Sequence, residues 1–498
     1  MKRDTTRRRF VIGVSAGVGA VAGCLGDDDD DTDDVDDVDD VDDTDDFEPA
    51  DDTDDTDDVD DVDDTDDVDD VDDVDDTDDV DDVDDVDDVD DTDDVVEEPP
   101  MYEVWAADQG RDNIHIYQPA AGYLDGDADD LLEHVATIDT NELTDEDNVV
   151  PHMVDFSSDY AYAAVACTAG ARTLIFRTED RELIADLPTG PGSHFAGFAP
   201  DDEYIHVDVI GEGEIVRIEA DLADESFEIV DEIEVLADDT VADAGIDSGA
   251  PICHSYDQDG RSLHTLGPGH GDGALVILDH DDFSVDAAFG HDELPTNCGT
   301  MPHPTEEKFY LTAGMPSDPE EDVEGVGAYY VLDTDSDEIL VDGESTEGND
   351  AHGFWFTTDG EELWVLNRET NDGVVVDPET DDVIDEIDAF GPAQSEDTAQ
   401  RDAPDIMWGS PDGAYMFVTL RGVEPVSGDP HAATGVTPGF SVLDTETKEI
   451  VTVIEPDPID DYDDDAIEDE DVPTPDFHGI GVRPIDDFDT AIPTSPPY

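Results

Sequence analysis

Basic side chains are nearly absent from this chain. Lys and Arg number 17 against 147 Asp and Glu in 498 residues, a formal charge of −130. Five of them (Lys2, Arg3, Arg7, Arg8 and Arg9) fall in the first nine positions. A nucleic-acid interface needs Lys/Arg patches, so this composition argues strongly against one. Cysteine is scarce too: Cys24, Cys167, Cys253 and Cys298. Leaving Cys24 aside, an odd set of three suggests one pair plus a free thiol, or a metal role. The apolar run from Val11 to Ala22 is shorter than the roughly 20 residues a membrane-spanning helix needs. There is no P-loop, no HExxH, no CxxCH and no Asn-X-Ser/Thr sequon, and the single Gly-X-Ser-X-Gly, Gly13-Val14-Ser15-Ala16-Gly17, falls inside that apolar run. The familiar serine-hydrolase, nucleotide, zincin and c-type haem signatures are therefore missing beyond residue 24. Asp-rich turns such as Asp333-Thr334-Asp335-Ser336-Asp337 lack the glycine of a calcium loop and read as hairpin turns.

What is present divides the chain into an address, a tether and a folded part. Thr6-Arg7-Arg8-Arg9-Phe10 matches the twin-arginine export pattern, with Arg7 and Arg8 as the pair that is read. The run after it ends at Val21-Ala22-Gly23-Cys24, which resembles a lipobox. That resemblance implies a signal over residues 1–24, lipidation at Cys24 and an extracytoplasmic, membrane-anchored protein on the cell surface. An ordinary signal peptide with an incidental cysteine is the plainer alternative. Residues 25–100 are low complexity: 48 of the acidic residues lie there, mostly as Asp pairs separated by single Val or Thr. No core can form from such a pattern, so a disordered, self-repelling tether is expected. The excess of negative charge continues beyond it. Such a surface is tolerable when salt screens it, as at about 1 M, where the Debye length is about 3 Å. Halophile proteins carry surfaces of this kind, and twin-arginine export with a lipobox fits a halophilic archaeon. The charge then reflects the solvent and not a cationic partner.

From residue 101 onward a phrase recurs: a small residue or His, an apolar strand, a polar turn, a second strand. Aligned first strands put Phe156, Phe198, Tyr256, Met301, Phe356, Gly409 and Val482 in one column. Turns such as Ser157-Ser158-Asp159, Thr357-Thr358-Asp359-Gly360 and Ser410-Pro411-Asp412-Gly413 follow, which is hairpin chemistry. A period of roughly 40–50 residues with four strands each is the signature of propeller blades. The part opens at Tyr102-Glu103-Val104-Trp105-Ala106 with a second strand and closes at His478-Gly479-Ile480-Gly481-Val482 with a first. Pairing the two would complete one blade and close the ring, removing exposed sheet edges. The expectation is an all-β, seven-bladed β-propeller over residues 101–485, closed by its C-terminal strand, with a C-terminal tail at 486–498. Long polar segments at 389–403 and 456–475 are expected as loops on a face of the disc.

The phrases His352-Gly353-Phe354-Trp355-Phe356-Thr357-Thr358-Asp359-Gly360 and Val442-Leu443-Asp444-Thr445-Glu446-Thr447 resemble those of the YVTN/YncE-like seven-bladed propellers. The resemblance implies the fold. It does not choose a function, because that fold hosts lactonases, haem and copper enzymes, metal chaperones and scaffolds.

Four residues before the aligned column stand His152, His194, Ile252, Asn297, His352, Asp405 and His478. First strands line the axis of a propeller, so these positions converge at one mouth of the channel. His254 joins them if its blade is shifted by two residues. Imidazole suits zinc and copper, and Asp405 would serve as a ligand or as an acceptor behind one. A ring of structural histidines, each bonded to a neighbouring blade, is the competing reading. Cys253 and Cys298 lie one residue further on in adjacent blades and are expected to form a disulfide, with metal thiolates as the alternative. Cys167 reads as a buried free thiol, and His206 and His264 as packing between blades. The expectation is a monomeric, tethered propeller, more a binder than an enzyme. It is expected to hold a zinc or copper ion or a small ligand at the His-lined mouth, with a metal chaperone that passes its ion to a transporter or other surface protein as one form of this reading. The alternatives are a lactonase-like or copper-dependent enzyme, and a scaffold that recognises a protein or glycan.

Overall fold

A computed structural model describes residues 98–318, 323–395, 397–428, 430–456, 474–486 and 488. The expected export signal with Arg7 and Arg8, Cys24, nearly all of the expected tether, most of the 456–475 segment and most of the expected tail lie outside the described residues. Among the described residues, no helix is long and apolar enough to cross a membrane.

Seven four-stranded antiparallel sheets make up the protein. Blade 1 orders Phe477–Pro484, Tyr102–Asp108, Asn113–Pro119 and Leu132–Asp139 from the axis outward. Val104 pairs with Val482 and Trp105 with Gly481, so the last strand closes the ring on the first. The innermost strands of the other blades are Pro151–Phe156, Ser193–Phe198, Ala250–Tyr256, Thr300–Pro302, Ala351–Phe356 and Pro404–Gly409 for blades 2 to 7. The expected fold is the observed one.

Local chemistry explains the repeat. In three blades a hydroxyl opens the first hairpin turn and bonds an Asp two residues on: Ser157 to Asp159, Thr357 to Asp359 and Ser410 to Asp412, at 2.7–2.9 Å. The same oxygen accepts the amide that starts the next strand, at Tyr162, Glu362 and Tyr415. Gly360 and Gly413 complete their turns at φ +72° and +74°, the left-handed region that favours glycine. Inner and middle strands such as Pro151–Phe156 and Tyr162–Cys167 are buried on both faces, because each blade packs between two others. Outer strands such as Ser226–Glu234 are largely exposed and carry much of the charge.

One irregularity decides where the site residues point. In blades 1, 2, 3, 4, 6 and 7 the ladder between the first two strands breaks near the start of the inner strand. Pro151 pairs with Cys167 but Met153 with Ala166, so His152 has no partner residue. The same bulge leaves out His194 and Ile252. It sets His352, Asp405 and His478 in the irregular stretches of their blades. A bulge turns its extra residue out of the pleat, and in blades 1, 2 and 3 it brings His478, His152 and His194 together. Blade 5 corrects the alignment by one residue. Asn297 N donates to Thr312 O and Thr312 N to Gly299 O, so Cys298, not Asn297, is the unpaired residue. Asn297 instead bonds Pro268 O and both backbone groups of Gly314.

Candidate metal centre

His152, His194 and His478 converge from blades 2, 3 and 1, with one ligand atom from each lying within 4.8 Å of the other two. The rings of His152 and His478 stack at 3.7 Å between centroids, and that of His194 stands edge-on to His152 at 4.2 Å. His152 and His478 are buried, while His194 is partly exposed and marks the solvent side.

Hydrogen bonds behind the rings set the tautomers. His152 Nδ1 lies 2.8 Å from Gln109 Oε1. The Gln109 amide is fixed because its Nε2 donates to Asp476 Oδ2 and Ser427 Oγ. His152 therefore carries its hydrogen on Nδ1, and its buried Nε2 has no partner. His194 Nδ1 donates to Ile252 O at 2.9 Å, leaving Nε2 as the lone-pair nitrogen. His478 places Nε2 3.5 Å from Asp405 Oδ2, and its buried Nδ1 has no partner. Three bare imidazole nitrogens oriented from behind are the arrangement a transition metal takes.

Burial keeps these rings neutral. It pushes His194 down to about 4 and, with help from the Arg368 charge, His352 to about 3. His152 and His478 are driven well below the ordinary imidazole value by the same desolvation. Neutral imidazole is the form that ligates.

Asp405 sits behind the rings. Arg421 Nη1 donates to its Oδ2 at 2.6 Å and Arg368 Nη1 to its Oδ1 at 3.3 Å. Burial alone would raise its pKa, but the Arg421 and Arg368 guanidiniums bonded to it hold it well below the usual carboxylate range. Arg421 also bonds Asp476, and Arg368 bonds Asp350. The network thus holds three carboxylates against two guanidiniums, an excess of one negative charge beneath neutral rings. His352 reaches 3.1 Å from Asp405 Oδ1 without hydrogen-bonding geometry and stands outside the three-His group.

Two expectations change. His254 leaves the axial set: its ring turns between blades 3 and 4, where its Nδ1 lies 2.6 Å from Asp208 Oδ2. Cys253 and Cys298 are not joined and stand as free, buried thiols. The register explains this, since Cys298 occupies its bulge and Cys253 lies one residue past its own. Cys253 Sγ approaches His194 Nδ1 at 3.7 Å instead. Below the mouth, both thiols line a cavity of about 110 Å³ with Met153, Met301, Met407 and the Trp355–Trp408 stack.

Gln109, Arg368, Arg421 and Asp476 were not found from the sequence. Gln109, Arg368 and Arg421 share one column, five residues past the second-strand partners Val104, Leu363 and Met416 of the aligned first-strand residues, and Asp350 and Asp476 each lie two residues before an axial His; aligning second strands as well as first would have marked them. Asp155 was missed because its position carries an acid in blade 2 alone. It lines the cavity, accepts from Phe198 N at 2.9 Å, and burial pushes its carboxyl up to about 7.

No protein-family model and no curated protein matches this chain. Among solved structures it is similar to dihydro-heme d1 dehydrogenase NirN in complex with DHE, at 12% identity over 77% of this chain and 75% of that one, TM-score 0.48. It is also similar to Kuenenia stuttgartiensis hydrazine synthase (10% identity, 62% of this chain, 96% of that one, TM-score 0.41). A third similarity is to the Dos1 propeller (14%, 61%, 70%, TM-score 0.43). The likeness is one of fold alone.

Proposed function

We propose that this protein is a metal-binding propeller that holds one zinc or copper ion at the axial mouth through His152, His194 and His478. The observation that carries this reading is the convergence of three neutral imidazoles whose back nitrogens are engaged or turned to an acceptor. Three protein ligands leave a coordination position open. An open site suits an ion that is exchanged, or one that acts on a substrate. Asp405 is a poor general base because two guanidiniums already hold its oxygens, which favours holding and transfer over hydrolysis. The sulfur-rich cavity beneath the mouth favours copper, since thiol and thioether ligands select its reduced form. The twin-arginine pattern and lipobox-like Cys24 support a surface-anchored protein that passes its ion to a membrane partner.

The test is metal stoichiometry on the full chain in high salt, without a His tag, beside the His152→Gln/His478→Gln variant. We expect about one axial equivalent of zinc or cuprous ion that the variant cannot take up. A folded variant that binds as much as the parent ends this reading.

A further inference from the structure

A second set of ligand-type side chains lies away from the mouth, sealed between blades 3 and 4. His206 and Asp208 stand on the second strand of blade 3, Tyr204–Val209. His254 and His264 face each other across the first two strands of blade 4. None of the four is more than 1% exposed. Asp208 is gripped from both sides: His254 Nδ1 lies 2.6 Å from Oδ2 and His264 Nδ1 2.6 Å from Oδ1. Ser262 Oγ sits 2.9 Å from His264 Nε2 and 3.1 Å from His206 Nδ1. The Nε2 atoms of His206 and His254 are buried without a partner.

Two of the fully buried aspartates, Asp405 and Asp208, differ in what balances them. Asp405 is bonded by two guanidiniums, but among the described residues no Lys or Arg bonds Asp208. Arg217, nearby, lies 3.4 Å over the Tyr204 ring and donates to His280 O. Burying a carboxylate whose partners are only imidazoles is costly unless a positive charge joins them.

We infer that this cluster is a second metal site, which takes a divalent ion of the zinc class with Asp208, His254 and His264 as ligands. Their ligand atoms lie within 4.8 Å of one another. Zinc takes such mixed imidazole and carboxylate sets. Ligation at the two Nδ1 atoms moves each ring hydrogen to Nε2. For His264, Ser262 Oγ is in place to accept it. For His254, Nε2 lies against Gly197, where a Cβ would come to 2.9 Å, so only a glycine leaves room for that hydrogen. One ligand comes from blade 3 and two from blade 4, so the ion joins neighbouring blades. It is closed off from solvent, unlike the axial ion, and its role is structural.

The experiment starts from the full chain carrying His152→Gln/His478→Gln, which removes the axial ligands and leaves this cluster whole. After chelation and reloading with zinc, we expect about one equivalent to remain bound and the melting temperature to rise. Adding Asp208→Asn/His264→Gln to that variant should abolish both effects. Where the added changes prevent folding, the imidazole 15N shifts of the unmutated chain decide: zinc must move those of His254 and His264. An axial variant that is folded yet binds no zinc, or shifts that do not move, reduces the cluster to a hydrogen-bonded brace and overturns the proposal. Equal stoichiometry in parent and axial variant would instead sustain this site and remove the axial one.

Discussion

His152 donates its Nδ1 hydrogen to Gln109 Oε1 at 2.8 Å, across the boundary between blades 2 and 1. That bond leaves Nε2 bare at the mouth, and Gln109 cannot turn because Asp476 and Ser427 accept its amide hydrogens. Loss of such an outer partner typically costs a metal site 10–100-fold in affinity. Gln109→Leu is therefore expected to weaken axial metal binding by about that factor, read by competition with a chromophoric chelator. An unchanged affinity in a folded variant would mean that the tautomer is set elsewhere.

Asp405 is fully buried between Arg421 and Arg368. Removing one partner of a buried ion pair costs about 3–5 kcal/mol, whereas replacing the whole pair by apolar groups is often neutral. Asp405→Asn should lower the unfolding free energy by about that amount in denaturant titrations. The double change Asp405→Leu/Arg421→Met should cost less than the single one. If it costs more, Asp476 and Asp350 depend on these guanidiniums more than on each other.

Acid should destabilise the metal-free protein before it protonates the site. His194 and His352 titrate near 4 and 3 in the folded state, against about 6.5 unfolded. Between those values the unfolded chain binds protons that the folded chain refuses. Their stabilisation is complete above about pH 6.5 and is lost as pH falls through that window. Asp155 acts in the opposite sense: its carboxyl, raised to about 7, contributes stability below the unfolded value near 3.9 that is lost as pH rises through 7. One carboxyl is outnumbered by the buried imidazoles. Urea midpoints should drop between pH 6.5 and 4.5, while axial affinity in the folded chain stays nearly flat; a parallel fall in affinity would show that the rings titrate normally.

The thiols offer a check on the corrected cysteine assignment. Cys167, Cys253 and Cys298 are buried and free, and desolvation raises each far above an ordinary thiol. Thiolate is the reactive form, so alkylation should be very slow in the folded protein and complete for all three after denaturation without reductant. A mass lower by two hydrogens in the Cys253 and Cys298 peptides would restore the disulfide.

The fold was legible because each blade repeats its own instructions: hydroxyl, Asp and Gly at a turn, then apolar strands. The ring closure was legible because the two ends carry complementary parts of one blade. The axial histidines surfaced for the same reason, as one position sampled seven times. His254 did not obey the column because its blade carries Ile252 in the bulge, and a two-residue difference faces another blade. Cys298 was placed one residue away because a bulge changes the count without altering the apolar pattern. Gln109, Arg368 and Arg421 share a position just past the second strand of blades 1, 6 and 7, a column that an alignment of first strands alone does not display.

The glycine after the axial residue was also legible as a pattern, in His352-Gly353 and His478-Gly479, and the structure supplies its cause. The bulged strands pass so close that a Cβ on Gly353 would sit 2.6 Å from Asp405 O, and one on Gly479 would run into His152 O. A Cβ on Gly299 would come to 2.5 Å from His352 O. These contacts are with backbone of the next blade, which cannot swing aside as a side chain does. Overpacking of this kind costs about 1–3 kcal/mol. Gly353→Ala should therefore destabilise the protein by about that much and widen the spacing of blades 6 and 7, which carry His352 and Asp405. Axial affinity should fall less than in Gly479→Ala, where the displaced backbone belongs to His152 and His478 themselves. The comparison needs only metal titrations and melting curves on the two variants. Equal losses of affinity would mean that the ring yields as one body and not blade by blade.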